Sequence, residues 1–244
     1  GAARRRGRID PVEGKMLQRK GIIETYIIRT SVEEQSVSEK TQGARNIAEE
    51  AFGNERKFKQ LVGALSGPSR RERQNAAAAL SFFAKDHPDL MIPFGAAVID
   101  ALNRPEAQTR WECLDILTTM VDHDSRTCDK AVPGAETALF DEESGPVRLA
   151  AMRFLCKLGA TTENRSERVW PLIDEAIQCY HGDLEFQDML VSVIDFSAGK
   201  LAPSVKKELG ARMAFDASNG KGPLKRVRSK SSTTCRTSAR HSDE

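Results

Sequence analysis

Gly145-Pro146-Val147-Arg148-Leu149-Ala150-Ala151-Met152-Arg153-Phe154-Leu155-Cys156-Lys157-Leu158 is the stretch whose reading decides the fold. Counting from Arg148, the third, fourth, seventh and tenth positions are Ala151, Met152, Leu155 and Leu158, all apolar and all on one face of a helix. The same spacing opens from Arg73, Arg110 and Gln187, which places four anchors 37, 38 and 39 residues apart. Fifteen of the sixteen positions so defined are apolar, with Ser197 alone breaking the rule. The apolar fraction of the chain is 39%. That fraction would give roughly six by chance, so the pattern reports a buried stripe repeated four times.

A proline column accompanies the stripe. Pro93, Pro133, Pro171 and Pro203 stand at intervals of 40, 38 and 32, each after an apolar residue: Ile92, Val132, Trp170 and Ala202. Proline suits the first helical turn, where its missing N–H has no intrahelical partner, so each is expected to open a second helix. Gly95, Ala135, Ile173 and Val205 lie two residues on, and Ile99, Leu139, Ile177 and Leu209 lie six on, sharing a face. Each unit therefore reads as helix, turn, proline-led helix. Units of this kind cannot bury their apolar faces alone and gain stability by stacking.

These residues resemble the HEAT and armadillo superfamily of α-solenoids. Gly145 through Ala151 looks like the start of a HEAT first helix, and Ile92-Pro93 through Ala101-Leu102 like its partner. The resemblance implies an all-α superhelix, about four helix pairs plus a leading capping pair, over residues 44–217. It also implies that Arg73, Arg110 and Arg148 bond acidic groups or carbonyls in the turns, the alternative being an anion-binding ladder, and that Gln187 lacks such a tie.

Low aromatic content, 6%, suits a helical stack. Two helices are expected ahead of the array, Ala44 to Phe52 and Glu55 to Leu65. Residues 1–43 read as a basic, then polar, partly disordered extension. Within it Ile22, Ile23, Tyr26, Ile27 and Ile28 fit either a short helix or a lone strand, and the run to Gln42 reads as linker. Residues 218–244 have the composition of a disordered Ser/Thr-rich tail.

Charge divides the chain. Residues 21–220 hold 23 basic and 31 acidic side chains, while residues 1–20 and 221–244 each hold seven basic against two acidic. Most of an acidic body repels nucleic acid, whereas the basic tails can contact phosphate. Lys225, Arg226 and Arg228 are the candidates for that contact and would also fit a nuclear import signal. No apolar run approaches the roughly 18 residues of a membrane helix, and no secretory h-region is read near the start. Cys113 and Cys156 fall on or beside the buried stripes, which favours small apolar thiols in a reducing, cytoplasmic setting over disulfides or zinc.

No catalytic constellation stands out. His87, His123 and His181 fall in turns, no metal-ligand spacing is present, and no phosphate-loop or nucleophile-elbow sequence occurs. Neither a cofactor nor a metal is expected. Trp111, Asp115 and Asp122 lie opposite the buried direction of their helix, an indole beside carboxylates that would suit a cationic side chain. Glu136, Asp174 and Glu175, polar positions of the second helices, complete the candidate partner-binding set, and Lys206 and Lys207 reverse the sign further along. The expected function is a non-enzymatic scaffold for a protein or peptide. A second resemblance, to DNA glycosylases built from HEAT-like repeats, rests on Trp111 and Asp115 and implies an alternative: a protein acting on alkylated nucleic acid, with Arg148 touching phosphate.

Overall fold

The computed structural model describes residues 34–219, and among them every regular element is helical. The order is α1 (34–51), α2 (Glu55–Ala64), α3 (Arg70–Asp86), α4 (Pro88–Met91), α5 (Gly95–Asp100), α6 (Ala107–Met120), α7 (Ser125–Asp129), α8 (Val132–Leu139), α9 (Gly145–Gly159), α10 (Glu163–Cys179), α11 (Phe186–Ser197) and α12 (Pro203–Asn219). Short 3₁₀ turns at Ile92–Phe94 and Ala101–Asn103 flank α5. One layer runs α3, α6, α9, α11, each packed on the next. The second contains α5, α8, α10 and α12, with α8 and α10 both seated on α9.

Local chemistry sets the helix ends. Ser69, Ser144 and Thr162 each accept a bond from the backbone N–H three residues on, satisfying a donor that the first turn leaves free. Gly53, at φ +78°, ends α1 in the left-handed region that glycine enters without a Cβ clash. Burial follows the stripe in three units: Leu80, Leu117 and Leu155 are fully buried. Alanines at 76, 77, 79 and 84 let α3 approach its neighbours closely. Gly159 is a second close approach, because a Cβ there would overlap Val169. Cys113, Cys128 and Cys156 are buried free thiols, and desolvation pushes Cys128 up to about 12.

Three expectations are corrected. In the fourth unit Ile194 is 64% exposed and Val191 57%, whereas Phe186, Met189, Val193 and Phe196 are buried. The true anchor is Phe186, 38 residues after Arg148, and Ser197 broke the pattern because Phe196 fills its place. Two apolar stripes overlap on α11, one residue out of phase, and the sequence period alone did not choose between them. Pro171 lies inside α10, which Thr162 had already started eight residues earlier. It sits on the exposed side of that helix, where water reaches the carbonyl its ring leaves unpaired. Residues 34–42, read as linker, are helical although exposed, extending α1 by more than two turns before its first buried residue, Ala44. The second-helix columns hold: Gly95, Ala135, Ile173 and Val205 are all buried.

Candidate partner-binding surfaces

The anchor arginines are engaged internally. Arg73 donates from Nε to Glu106 at 2.7 Å and from Nη1 to the carbonyls of Gly67 and Pro68. Arg110 reaches Asp141 at 2.6 Å, and Arg148 reaches Glu185 at 2.6 Å and the Asp141 carbonyl at 2.8 Å. Each arginine thus ties its unit to an acid at the entry of the next. Burial raises the carboxyl pKa of Glu106, but hydrogen bonding and charge from Arg73 outweigh it and hold the group below its usual range. At Asp141 burial is likewise outweighed, by Arg110 and by the backbone N–H groups of Glu143 and Ser144. Guanidiniums committed in this way are tie-bars, not an anion ladder.

Trp111 and Asp115 lie half-buried on the side of α6 away from Cys113, Leu114 and Leu117, while Asp122 falls past the end of α6 in the turn that follows and is exposed. Trp111 is half-buried against the core, and Asp122 pairs with Lys157 of α9 at 2.8 Å. Asp115 is raised above the ordinary carboxylate range by burial, against the opposing charges of Arg153 and Lys85. Glu112, which sequence reasoning passed over, is raised too: burial dominates, Asp115 adds to it, and bonding to Ser81 and Trp111 opposes it. The pair Glu112 and Asp115 is legible only as an i, i+3 spacing beside Trp111.

Glu136, Asp174 and Glu175 belong to the other layer, so the six candidates form two surfaces. Glu136 is exposed on α8, and Glu175 is partly exposed on α10. Asp174 is clasped by both arms of Arg212, at 2.6 and 3.2 Å. Arg165 grips Asp129 in the same fashion, and Trp170 donates its indole N–H to Glu208 at 2.6 Å. These struts join side chains 36 to 38 residues apart and recur along the second layer. Between α10 and α12 they frame a cleft lined by Trp170, Asp174, Glu208, Ala211, Arg212 and Phe215. Phe215 is 58% exposed and lies under the Arg212 guanidinium at 5.9 Å. Glu208, Arg212 and Phe215 were missed from sequence; the 38-residue offset from Trp170 and Asp174 was the available signal.

Lys225, Arg226 and Arg228 lie outside the described residues. Among the described residues no cluster of His, Cys, Asp and Glu is arranged to hold a metal ion, and no helix is long and apolar enough to cross a membrane.

No family model matches the chain, and no curated protein matches its sequence significantly. Solved structures do match its shape. A designed armadillo repeat protein in complex with the peptide (KR)4 is 14% identical, covering 78% of this chain and 89% of that one at a TM-score of 0.56. Two engineered proteins are 14% and 18% identical, each over 79% of this chain and 87% and 88% of theirs, at TM-scores of 0.56 and 0.57. At such identities the likeness carries architecture alone, and with the stacked layers described above it shows that this chain has the armadillo/HEAT-type α-solenoid fold.

Proposed function

We propose that the protein is a non-enzymatic scaffold that binds a cationic peptide or protein segment on its second-helix layer. The observation that carries this reading is the cleft between α10 and α12, where Asp174 pairs with Arg212 and Glu208 accepts from Trp170 beside an exposed aromatic ring. The two carboxylates and Arg212 leave one negative charge, Glu175 stands next to Asp174, and the cleft wall holds the Phe215 ring with the Arg212 guanidinium over it. A designed protein of the same architecture holds a Lys/Arg peptide.

The glycosylase reading gains nothing comparable. Asp115 is raised above the ordinary carboxylate range by burial, which disfavours the anionic form that a cationic base would need.

Fluorescence polarisation with a labelled Lys/Arg-repeat peptide and an acidic peptide of equal length tests the scaffold reading. The basic peptide should bind and the acidic one should not. The pair Glu208→Gln and Phe215→Ala should weaken binding at least about tenfold, because the amide still accepts from Trp170 while charge and ring are lost. Equal binding by wild type and the double variant would overturn the placement.

A further inference from the structure

The apolar side chains of α11 that the corrected register leaves in water are Val191 and Ile194, with Leu190 half-buried against the core beside them. α11 is the last helix of the first layer among the described residues and packs there on α9, so this face lies where a further helix would stack. Leu184, two residues before α11, is fully exposed as well. Asp188 and Asp195, one turn either side of Val191 on the same face, are exposed and make the rim acidic. Two such faces brought together would oppose like charges, which disfavours a symmetric contact between copies of α11.

The sequence holds one segment of complementary character. At helical spacing Ile22, Ile23, Tyr26 and Ile27 would fall on one face, with Arg19, Lys20 and Arg29 flanking them in sequence. Its own end of the solenoid offers little to receive it. On α1 the apolar stripe of Ala44, Ala48 and Ala51 is already buried, and of the large apolar side chains still exposed at this end Phe52 stacks on His87 while Val37 stands singly among polar neighbours. Arg45 of α1 lies over Phe82 of α3, so α1 stands beyond α3 and four helix spacings from α11. That separation is roughly 35 Å, whereas the six steps from Ile28 to Glu34 span at most about 20 Å. Within one chain the segment does not reach.

We propose that Leu190, Val191 and Ile194 of α11 bind residues 22–28 of a second copy of this chain, head to tail, with Asp188 and Asp195 facing Arg19, Lys20 and Arg29. A contact between two different patches leaves a free end at each side of the pair, so it propagates.

Sedimentation equilibrium over a concentration series, on the full chain, tests this. Wild-type mass should climb past the dimer as concentration rises, and should fall back in high salt. Ile23→Asp with Ile27→Asp removes the head, and Val191→Asp with Ile194→Asp removes the socket, the latter at exposed positions that leave the fold intact. Each double variant alone should be monomeric. Their equimolar mixture should stop at twice the monomer mass, because only one head and one socket remain. A dimer from the head-less variant alone would mean that α11 pairs with α11. A wild type that stays monomeric throughout, or a mixture that does not pair, would equally overturn the proposal.

Discussion

Arg148 donates from Nε to Glu185 Oε1 at 2.6 Å, joining the start of α9 to the residue that precedes α11. Both side chains are nearly buried, at 12% and 11% exposure. Removing one partner would strand the other's charge. Arg148→Ala should therefore cost about 3–5 kcal/mol. Arg148→Lys should recover only part of it, since an ammonium cannot reach Glu185 and the Asp141 carbonyl with a planar fork. By contrast Gln187→Arg, which restores an arginine to the apparent sequence anchor, should change nothing, because position 187 faces water. Urea denaturation of the three variants checks this, and a stabilising Gln187→Arg would contradict the register.

The phase of α11 gives a sharper contrast. Leu155→Asp and Val193→Asp each place a charge in a dry interior and should unfold the array or its last unit. Ile194→Asp, at a position 64% exposed, should shift stability by no more than about 0.5 kcal/mol. Circular dichroism melts of the three proteins at low concentration separate these outcomes; cooperative loss in Ile194→Asp would show that the face is covered.

The architecture was legible because burial repeats: Leu80, Leu117 and Leu155 carry the same duty in successive units, and a period is visible without coordinates. Phase was not legible in α11, where Leu190, Val191 and Ile194 mimic the buried set and only Ser197 betrayed the error. The site was harder. Trp111 and Asp115 were read as lying opposite the buried stripe, yet Trp111 packs partly against the core and Asp115 is raised by burial, because α3 and α9 flank α6 and nothing local in the sequence says so. Asp174 looked like a free carboxylate because its partner, Arg212, lies 38 residues away. Only the repeat length connects them.

Two groups of carboxyls should oppose one another as pH falls. Glu112 and Asp115 have raised folded pKa values, so the folded state binds more protons than the unfolded one and stability rises as pH drops through those values. Glu106 and Asp141 are depressed, so their contribution, present above the unfolded values near 4, is lost as pH falls through the folded ones. Thermal stability should thus pass through a maximum on the acid side of neutrality before it collapses. Glu112→Gln should raise Tm relative to wild type at pH 7, because burial penalises the wild-type carboxylate, and that gain should shrink as pH falls. A Tm lowered at pH 7 would mean that the carboxylate, and not its burial, dominates the site.

Pro171 and Pro133 occupy equivalent columns but different places in their helices, and substitution should tell them apart. Pro133 lies in the first turn of α8, where no hydrogen bond is forgone and its fixed φ restricts the unfolded chain. Pro133→Ala should cost about 0.5–1 kcal/mol. Pro171 lies in the interior of α10, where the ring withholds a backbone donor from the carbonyl of Glu167. Pro171→Ala restores that bond and a better helix former, and should stabilise by about 1–3 kcal/mol. The sum is capped by the solvent that already reaches the freed carbonyl. The opposite sign at the two positions, read as a shift of the urea midpoint at constant slope, is the expected result; a loss at both would mean that Pro171 sets a bend on which the packing of Trp170 depends.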